Sequence, residues 1–179
     1  MARTDSFENI QKTLDLAGQE LRILHQITRT IASTLDLDEV LQEVIDRHPD
    51  LAAAHRHIKI TSPLGTVLAD HSSLVQCFSN LLQNALKFVP KGRLPEIRVF
   101  SEVRGERLRV NVCDNGVGID PRAHTRIFGI FERAGPLDVP GTGIGLAIVK
   151  KAVSRMGGEV GLVSELGAGA CFWIQLPRT

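Results

Sequence analysis

Three glycines at alternate positions, Gly141, Gly143 and Gly145, lead directly into a helix-like run without proline. A turn needs only one glycine, so this spacing indicates a backbone that approaches something closely. A helix that begins near residue 144 presents unpaired N–H groups and the positive end of its dipole, and both suit an anion. The stretch therefore predicts a cradle for a phosphate chain, and one that can open and close.

The spacing of these glycines excludes two other kinds of phosphate-binding loop. A Walker A loop requires Lys followed by Ser or Thr after its glycines, and no such pair follows here at that distance. A dinucleotide-binding fingerprint requires a strand that runs directly into its glycine turn, whereas this chain has GxGxG spacing and no such strand. Other parts of the chain have to complete the site.

Charge and hydropathy narrow the class of protein. With 21 Lys+Arg against 20 Asp+Glu, the 179-residue chain has no general basic field, so we expect no nucleic-acid partner. No apolar run reaches the roughly 18 residues of a membrane span, and the first residues lack the apolar segment of a signal peptide. We therefore predict a cytoplasmic chain without direct membrane contact, which can still be a piece of a longer, membrane-tethered protein.

Cys77, Cys113 and Cys171 are an odd number of cysteines at distant positions, and none belongs to a CxxC pair. This pattern predicts neither a disulfide framework nor a zinc site. A reducing cytoplasm is accordingly the expected compartment.

Apolar or small residues recur from Phe7 to Ile31 at alternating spacings of three and four. This heptad pattern predicts a long, coiled-coil-like helix over residues 6–34 that pairs with a second copy of itself in a homodimer. The alternative is an amphipathic helix that lies on its own domain, but a helix of this length would overhang so small a domain. We predict a dimerising helix over residues 1–35 and a second domain over residues 36–179.

The second domain shows the periodicities of an α+β fold. A helix capped by Asp36 or Asp38 comes first, and from residue 55 the order is β-β-α-β-β-α-loop-α-β-β. This order predicts a two-layer α/β sandwich, in which a mixed, mainly antiparallel sheet carries helices on one face.

Polar residues mark one face of the helix predicted within residues 70–89. Asn80, Asn84 and Lys87 lie on adjacent turns of that face. Two carboxamides and an ammonium together suit a metal-bound phosphate group. Asn and Lys are also ordinary residues of an exposed helix surface, so the triplet alone leaves both interpretations open.

Two further clusters lie between this helix and the glycine stretch. The sequence "CDNGVGID" places Asp114 at the end of a predicted strand, before glycines that let a flat ligand approach the backbone. An Asp there can accept a hydrogen bond from an exocyclic amine, although Asn-Gly is also a plain turn signal. In "RIFGIFERAG", Phe128 and Phe131 favour core anchors beneath a mobile loop.

Taken together and in order, the four clusters resemble the N, G1, F and G2 boxes of the ATP-binding domain of histidine kinases. This domain has the Bergerat fold of the GHKL superfamily, which type II topoisomerases, Hsp90-like chaperones and mismatch-repair ATPases share. The resemblance covers residues 36–177. The matching stretches are "NLLQNALKF" at 80–88, "DNGVGID" at 114–120, "IFGIFERA" at 127–134 and "GTGIGLAIVKK" at 141–151.

The resemblance implies ATP and Mg²⁺ as ligands, and it assigns a role to each matching residue. Asn84 would ligate Mg²⁺, Lys87 would contact phosphate, and Asp114 would bind the adenine amino group. A lid over residues 129–142 would be anchored by its phenylalanines and hinged at its glycines. The remaining positions that would bind the nucleotide are Gly116, Gly118, Ile119, Phe128, Phe131, Gly141, Thr142, Gly143, Ile144, Gly145 and Leu146.

Asn80 bears on the type of reaction. The hydrolysing branches of the superfamily carry Glu at this position as a base for water, and Asn has no useful basicity. The resemblance therefore implies the catalytic domain of a two-component sensor histidine kinase, which transfers phosphate to histidine and works with the receiver domain of a response regulator. A serine kinase of the anti-sigma-factor type and a non-catalytic nucleotide-sensing scaffold are the alternatives.

The phosphate acceptor is the point at which the sequence departs from the family. Histidine kinases present the acceptor histidine on a helical hairpin, commonly with an acidic residue directly after it. His25 is the only histidine in the predicted N-terminal helix, and Gln26 follows it. His25 is the candidate acceptor, and this context puts in doubt whether the chain carries its own.

Overall fold

A computed structural model describes residues 33–132 and 141–179. Residues 6–32 of the helix predicted over residues 6–34, its contact with a second copy, and His25 lie outside the described residues. None of the helices within the described ranges is long and apolar enough to cross a membrane.

The described ranges contain four helices and seven strands, and two short 3-10 turns, His55–His57 and Pro121–Ala123, connect some of them. The elements are β1 (Ser33–Asp36), α1 (Leu37–Arg47), α2 (Pro49–Ala53), β2 (Ile58–Ile60), β3 (Thr66–Ala69), α3 (His71–Lys87), β4 (Ile97–Arg104), β5 (Arg107–Asp114), α4 (Gly145–Arg155), β6 (Glu159–Glu165) and β7 (Gly169–Pro177).

Five of the strands form one sheet in the order β2-β4-β5-β7-β6, and β1 and β3 form a separate antiparallel pair. Within the five-stranded sheet, β2 and β4 are parallel and the other neighbours are antiparallel. The prediction of a mixed, mainly antiparallel sheet is confirmed.

The core lies between the helices and one face of this sheet. Because side chains alternate between the two faces of a strand, Val110 and Val112 of β5 point inwards together with Ile174 of β7, and all three are buried. Phe78 of α3 and Val153 of α4 are fully buried in the same cluster. The opposite face carries Arg109 of β5 and Trp173 of β7, with the guanidinium carbon 3.9 Å from the centre of the indole ring.

Aspartates fix where α1 and α3 begin. The carboxylate of Asp36 accepts a hydrogen bond from the Asp38 N–H at 2.8 Å, and that of Asp70 accepts one from the Ser73 N–H at 2.8 Å. The hydrogen bonds from Ser73 hold the pKa of Asp70 below its ordinary value. Such caps satisfy N–H groups that have no partner within the helix, so the start of α3, and with it the placement of its polar face, follows from the sequence.

The structure corrects the sequence interpretation at three places. Residues 33 and 34 belong to β1, which pairs with β3, rather than to the end of a helix over residues 6–34. The short helix α2 was not predicted, and the helix expected between the second pair of strands and the loop is, in the described residues, only the 3-10 turn Pro121–Ala123. In each case the segment is shorter than the window over which periodicity can be recognised.

Candidate functional site

A cavity of about 260 Å³ opens between the polar face of α3, the end of β5 and the glycine stretch before α4. Eleven of the predicted site residues line it, whereas Gly116, Phe128, Phe131 and Ile144 are not among the described lining residues. The lining residues are Asn80, Gln83, Asn84, Lys87, Phe88, Asp114, Val117, Gly118, Ile119, Ile127, Glu132, Gly141, Thr142, Gly143, Gly145, Leu146, Ala170 and Phe172.

Asp114, the last residue of β5, is held by backbone donors on one of its oxygens. Its Oδ1 atom accepts hydrogen bonds from the Gly116 N–H at 2.8 Å and the Ala170 N–H at 3.2 Å. Burial raises the pKa of this carboxyl above its ordinary value, and the two backbone hydrogen bonds oppose that rise. No group within residues 33–132 or 141–179 donates to Oδ2, so an acceptor remains for a ligand.

The loop after Asp114 packs closely against its neighbours because Gly116 and Gly118 carry no side chain. A Cβ at Gly116 would lie 2.7 Å from the Asp114 Oδ1 atom and 2.8 Å from the Phe88 carbonyl oxygen. Gly118 has a φ of +69°, and a Cβ there would collide with the carbonyl oxygen of Glu165. Gly116 therefore supports the site from behind instead of lining it, and Gly118 joins the loop to the β6–β7 turn.

The glycine stretch lies directly against the polar face of α3. A Cβ at Gly145 would be 2.7 Å from the Asn80 Oδ1 atom, and a Cβ at Gly141 would be 2.6 Å from the Lys87 Nζ atom. The Asn80 amide donates to the Gln76 carbonyl oxygen at 2.9 Å, which fixes its orientation. Gly145 therefore packs closely against the fixed amide of Asn80, whereas the flexible side chain of Lys87 could move away from a Cβ at Gly141.

Gly143 has a different role, because its backbone adopts the left-handed region with a φ of +70°. Its carbonyl oxygen accepts a hydrogen bond from the Phe131 N–H at 3.0 Å. A Cβ there would lie 2.9 Å from the Glu132 carbonyl oxygen. Backbone contacts therefore join the chain just before residue 133 to the chain just after residue 140.

The two phenylalanines of this region are not equivalent. Phe128 packs edge-on against Phe172 of β7, with ring centres 6.4 Å apart. Phe131 has a φ of +64° and is 74% exposed. Phe128 is a core anchor as expected, whereas Phe131 is not buried among the described residues.

Several lining residues were not predicted from the sequence. Gln83 lies on α3 and its amide contacts the His48 Nδ1 atom at 3.0 Å, while the His48 Nε2 atom is 3.0 Å from the Ser79 hydroxyl. Phe88 lies 5.2 Å from the Lys87 ammonium. Phe88 directly follows the polar triplet, so its position could have indicated that it lines the cavity. His48 is 31 residues from Ser79, and no sequence pattern indicates that their side chains meet.

Cys113 and Cys171 lie directly opposite each other on β5 and β7 and form a disulfide. This corrects the prediction that the chain contains no disulfide. The sequence separation of 58 between the two cysteines concealed the pairing, which depends on the register of two strands that are distant in sequence. Cys77 is buried as a free thiol, and burial raises its pKa to about 12.

The donors in the cavity fit a metal ion only together with a phosphate ligand. In residues 33–132 and 141–179, no three His, Cys, Asp or Glu side chains come together as a metal site. Asn84 offers an amide oxygen, and Mg²⁺ takes its remaining ligands from phosphate oxygens and water in sites of this kind. The residues are therefore compatible with Mg²⁺ that arrives bound to a phosphate chain.

The model of one protein family matches residues 69–179, and its description reads "Histidine kinase-, DNA gyrase B-, and HSP90-like ATPase". The chain belongs to this family. The family's histidine kinase catalytic domains share its fold. The mycobacterial sensor histidine kinase MprB has a TM-score of 0.70 and 27% identity over 82% of this chain and 99% of its own.

Two further comparisons extend this family assignment. Cyanobacterial phytochrome A from Nostoc sp. is 39% identical over 142 residues, which are 79% of this chain but 18% of the phytochrome. Full-length ShkA in complex with AMPPNP has a TM-score of 0.64 and 37% identity over 81% of this chain and 30% of its own. The chain thus corresponds to the histidine kinase-like ATPase domain of much longer proteins.

Proposed function

We propose that the cavity binds Mg²⁺-ATP, with adenine at Asp114 and the phosphates between α3 and the glycine stretch. The observation that carries this proposal is the difference in charge and hydrogen-bonding groups between the two ends of the cavity. One end holds a half-buried carboxylate with a free oxygen. The other end holds carboxamides, an ammonium and a helix N-terminus.

The adenine end is suited to a group that donates a hydrogen bond. Backbone N–H groups occupy the Asp114 Oδ1 atom, so the Oδ2 atom is left to accept a hydrogen bond. Adenine presents an exocyclic amine, whereas guanine presents a carbonyl oxygen at the same position. A carboxylate facing that oxygen would be unfavourable, so a guanine held in the same orientation as adenine should bind more weakly than adenine.

The phosphate end is suited to a polyanion. Ile144, which precedes α4, makes no side-chain capping hydrogen bond among the described residues, unlike the aspartates before α1 and α3. The first N–H groups of α4 are therefore available to oxygen atoms of phosphate. The Lys87 ammonium, which lies against Gly141, adds a full positive charge at this end.

Asn84 would hold Mg²⁺ through its amide oxygen, and the bound ion supplies neutralisation of phosphate charge. Asn80 stands where a hydrolytic enzyme needs a base, but its amide donates to its own helix and cannot accept a proton from water. We therefore propose transfer of the γ-phosphate to a histidine rather than to water. A cytoplasmic homodimer, paired with a response regulator receiver domain, is part of the same proposal.

The test uses γ-labelled ATP with Mg²⁺, the full chain and a His25→Ala variant. Label that is labile in acid, stable in alkali and absent from the variant would identify His25 as the acceptor. ATP binding without label would indicate a catalytic domain that depends on an acceptor in another chain, or a nucleotide-sensing scaffold. Adding a separate histidine-bearing substrate distinguishes these two, and label that is stable in acid would favour a serine kinase. Absence of ATP binding would contradict the proposal as a whole.

A further inference from the structure

The disulfide and the candidate adenine site lie on opposite faces of the same two strands. Cys113 directly precedes Asp114 on β5, and Cys171 directly follows Ala170 on β7. Since successive side chains alternate between faces, the two sulfur atoms lie on the outer face while Asp114 and Ala170 face the cavity. One backbone step therefore separates each cysteine from a residue that builds the site.

We propose that Cys113 and Cys171 form a reversible thiol–disulfide switch that sets the affinity of the cavity for ATP. The inference rests on the proposed function, because ATP is the ligand whose binding it would control. Three observations support it, namely the position of the pair, the hydrogen bond between its neighbours, and the partial exposure of Cys171.

The hydrogen bond between the strands passes the effect to the site. The Ala170 N–H and the Asp114 Oδ1 atom are 3.2 Å apart, already near the long end of the range for such bonds. The adjoining Gly169 fits so closely that a Cβ would collide with the Asp114 carbonyl oxygen. A bond between the sulfur atoms holds the strands together at this point. Two free thiols have to move apart to van der Waals distance, and this loosens the support of the carboxylate.

The chemistry is thiol–disulfide exchange with a small disulfide such as oxidised glutathione. Cys171 is the more exposed of the two, whereas Cys113 is 9% exposed. The Cys171 thiolate attacks the small disulfide, which forms a mixed disulfide and releases one small thiol. The Cys113 thiolate then attacks the Cys171 sulfur, which closes the protein disulfide and releases the second small thiol. Two protein thiols are oxidised, one small disulfide is reduced, and glutathione reverses both steps.

Such a pair can sense oxidation in a reducing compartment, because the two cysteines remain thiols there until the redox potential of the compartment becomes oxidising. The structure, in which the sulfur atoms are bonded, shows Asp114 fully supported by both of its backbone donors. The oxidised form is therefore the one with the higher ATP affinity. By linkage, ATP must in turn favour the disulfide by the same factor.

The experiment measures ATP affinity by calorimetry after equilibration with reduced or oxidised glutathione, with thiols counted in parallel. Reduction should weaken ATP binding about fivefold or more. Saturating ATP should then lower the reduction potential of the pair by about 20 mV, the same factor expressed as a potential. The double variant Cys113→Ala/Cys171→Ala should bind ATP as the reduced protein does and ignore glutathione. Cys171→Ser provides a second disulfide-free variant should the double variant fold poorly.

Cys77→Ala is the matched control, since it removes the third cysteine and leaves the pair intact, and it should keep the full response. Equal ATP affinity in the two redox states, with the disulfide confirmed in one of them, would overturn the switch but leave the proposed function standing. Failure to form the disulfide in oxidised glutathione would also overturn the switch. Loss of ATP binding in both states would instead contradict the proposed function, and the switch with it.

Discussion

The Phe131 N–H and the Gly143 carbonyl oxygen form a 3.0 Å hydrogen bond that joins the chain before residue 133 to the chain after residue 140. Gly143 has a φ of +70°, and a Cβ there would lie 2.9 Å from backbone atoms of Phe131 and Glu132. Gly143→Ala should therefore break this closure and weaken ATP binding about tenfold, since left-handed backbone alone costs an L residue about 1–2 kcal/mol.

Gly157→Ala is the matched control for that prediction. Gly157 has almost the same φ, +71°, but a Cβ there would meet nothing within 4 Å. Gly157→Ala should lower the free energy of unfolding, measured with urea, by about 1–2 kcal/mol, while its ATP affinity stays unchanged. Equal loss of ATP affinity in the two variants would show that backbone strain, and not closure of the segment, is responsible.

The two phenylalanines of the F box should differ in their effects on stability. Phe128→Ala removes the edge-on contact with Phe172 and should lower the free energy of unfolding by about 2–4 kcal/mol. Phe131→Ala truncates a side chain that is 74% exposed and should change it by less than about 0.5 kcal/mol. Denaturant unfolding of both variants checks this, and equal losses would contradict the described packing.

The disulfide should also stabilise the fold. It closes a loop of 58 residues, and the loop-entropy relation gives about 4 kcal/mol for such a length. Reduction of the wild-type protein should lower the urea midpoint, and reductant should have no effect on the double variant Cys113→Ala/Cys171→Ala. An unchanged wild-type midpoint would mean that the bond adds nothing to stability.

Asp114 should cost the unliganded protein stability at neutral pH. Burial raises its pKa in the folded state above the ordinary value of 3.8. Between that value and the raised pKa the folded protein binds more protons than the unfolded chain, so stability falls as the pH rises through this window. Asp114→Asn should therefore be more stable than wild type at pH 7, with a smaller advantage near pH 4. Equal differences in unfolding free energy at the two pH values would contradict this.

Local signals in the sequence were sufficient for most of the fold and of the site. Asp70 and the apolar face behind it predict α3, and "DNGVGID" places Asp114 at a strand end. The three alternate glycines were predicted to line the site, and all three line the cavity. Their close approach to Asn80 and Lys87 was not predicted, because it depends on how α3 and α4 pack against each other.

Features that depend on pairing between distant segments could not be read from the sequence. Ala170 lies 56 residues from the carboxylate that it supports, and it carries no signal because its backbone N–H makes the contact. The pairing of Cys113 with Cys171 required the register of β5 and β7. The different exposure of Phe128 and Phe131 depends on the backbone conformation at a single residue, which periodicity does not report.

The most direct test of the account is calorimetric titration of ATP and GTP into wild type, Asp114→Asn and Asp120→Asn. An Asn at 114 keeps an oxygen for the two backbone donors but turns the other acceptor into a donor. Wild type should bind ATP in preference to GTP, and Asp114→Asn should lose about 10- to 100-fold in ATP affinity and most of that preference. Asp120→Asn, which changes a carboxylate that is paired with Arg122 and does not line the cavity, should bind as wild type does. Unchanged ATP affinity in Asp114→Asn would contradict the account.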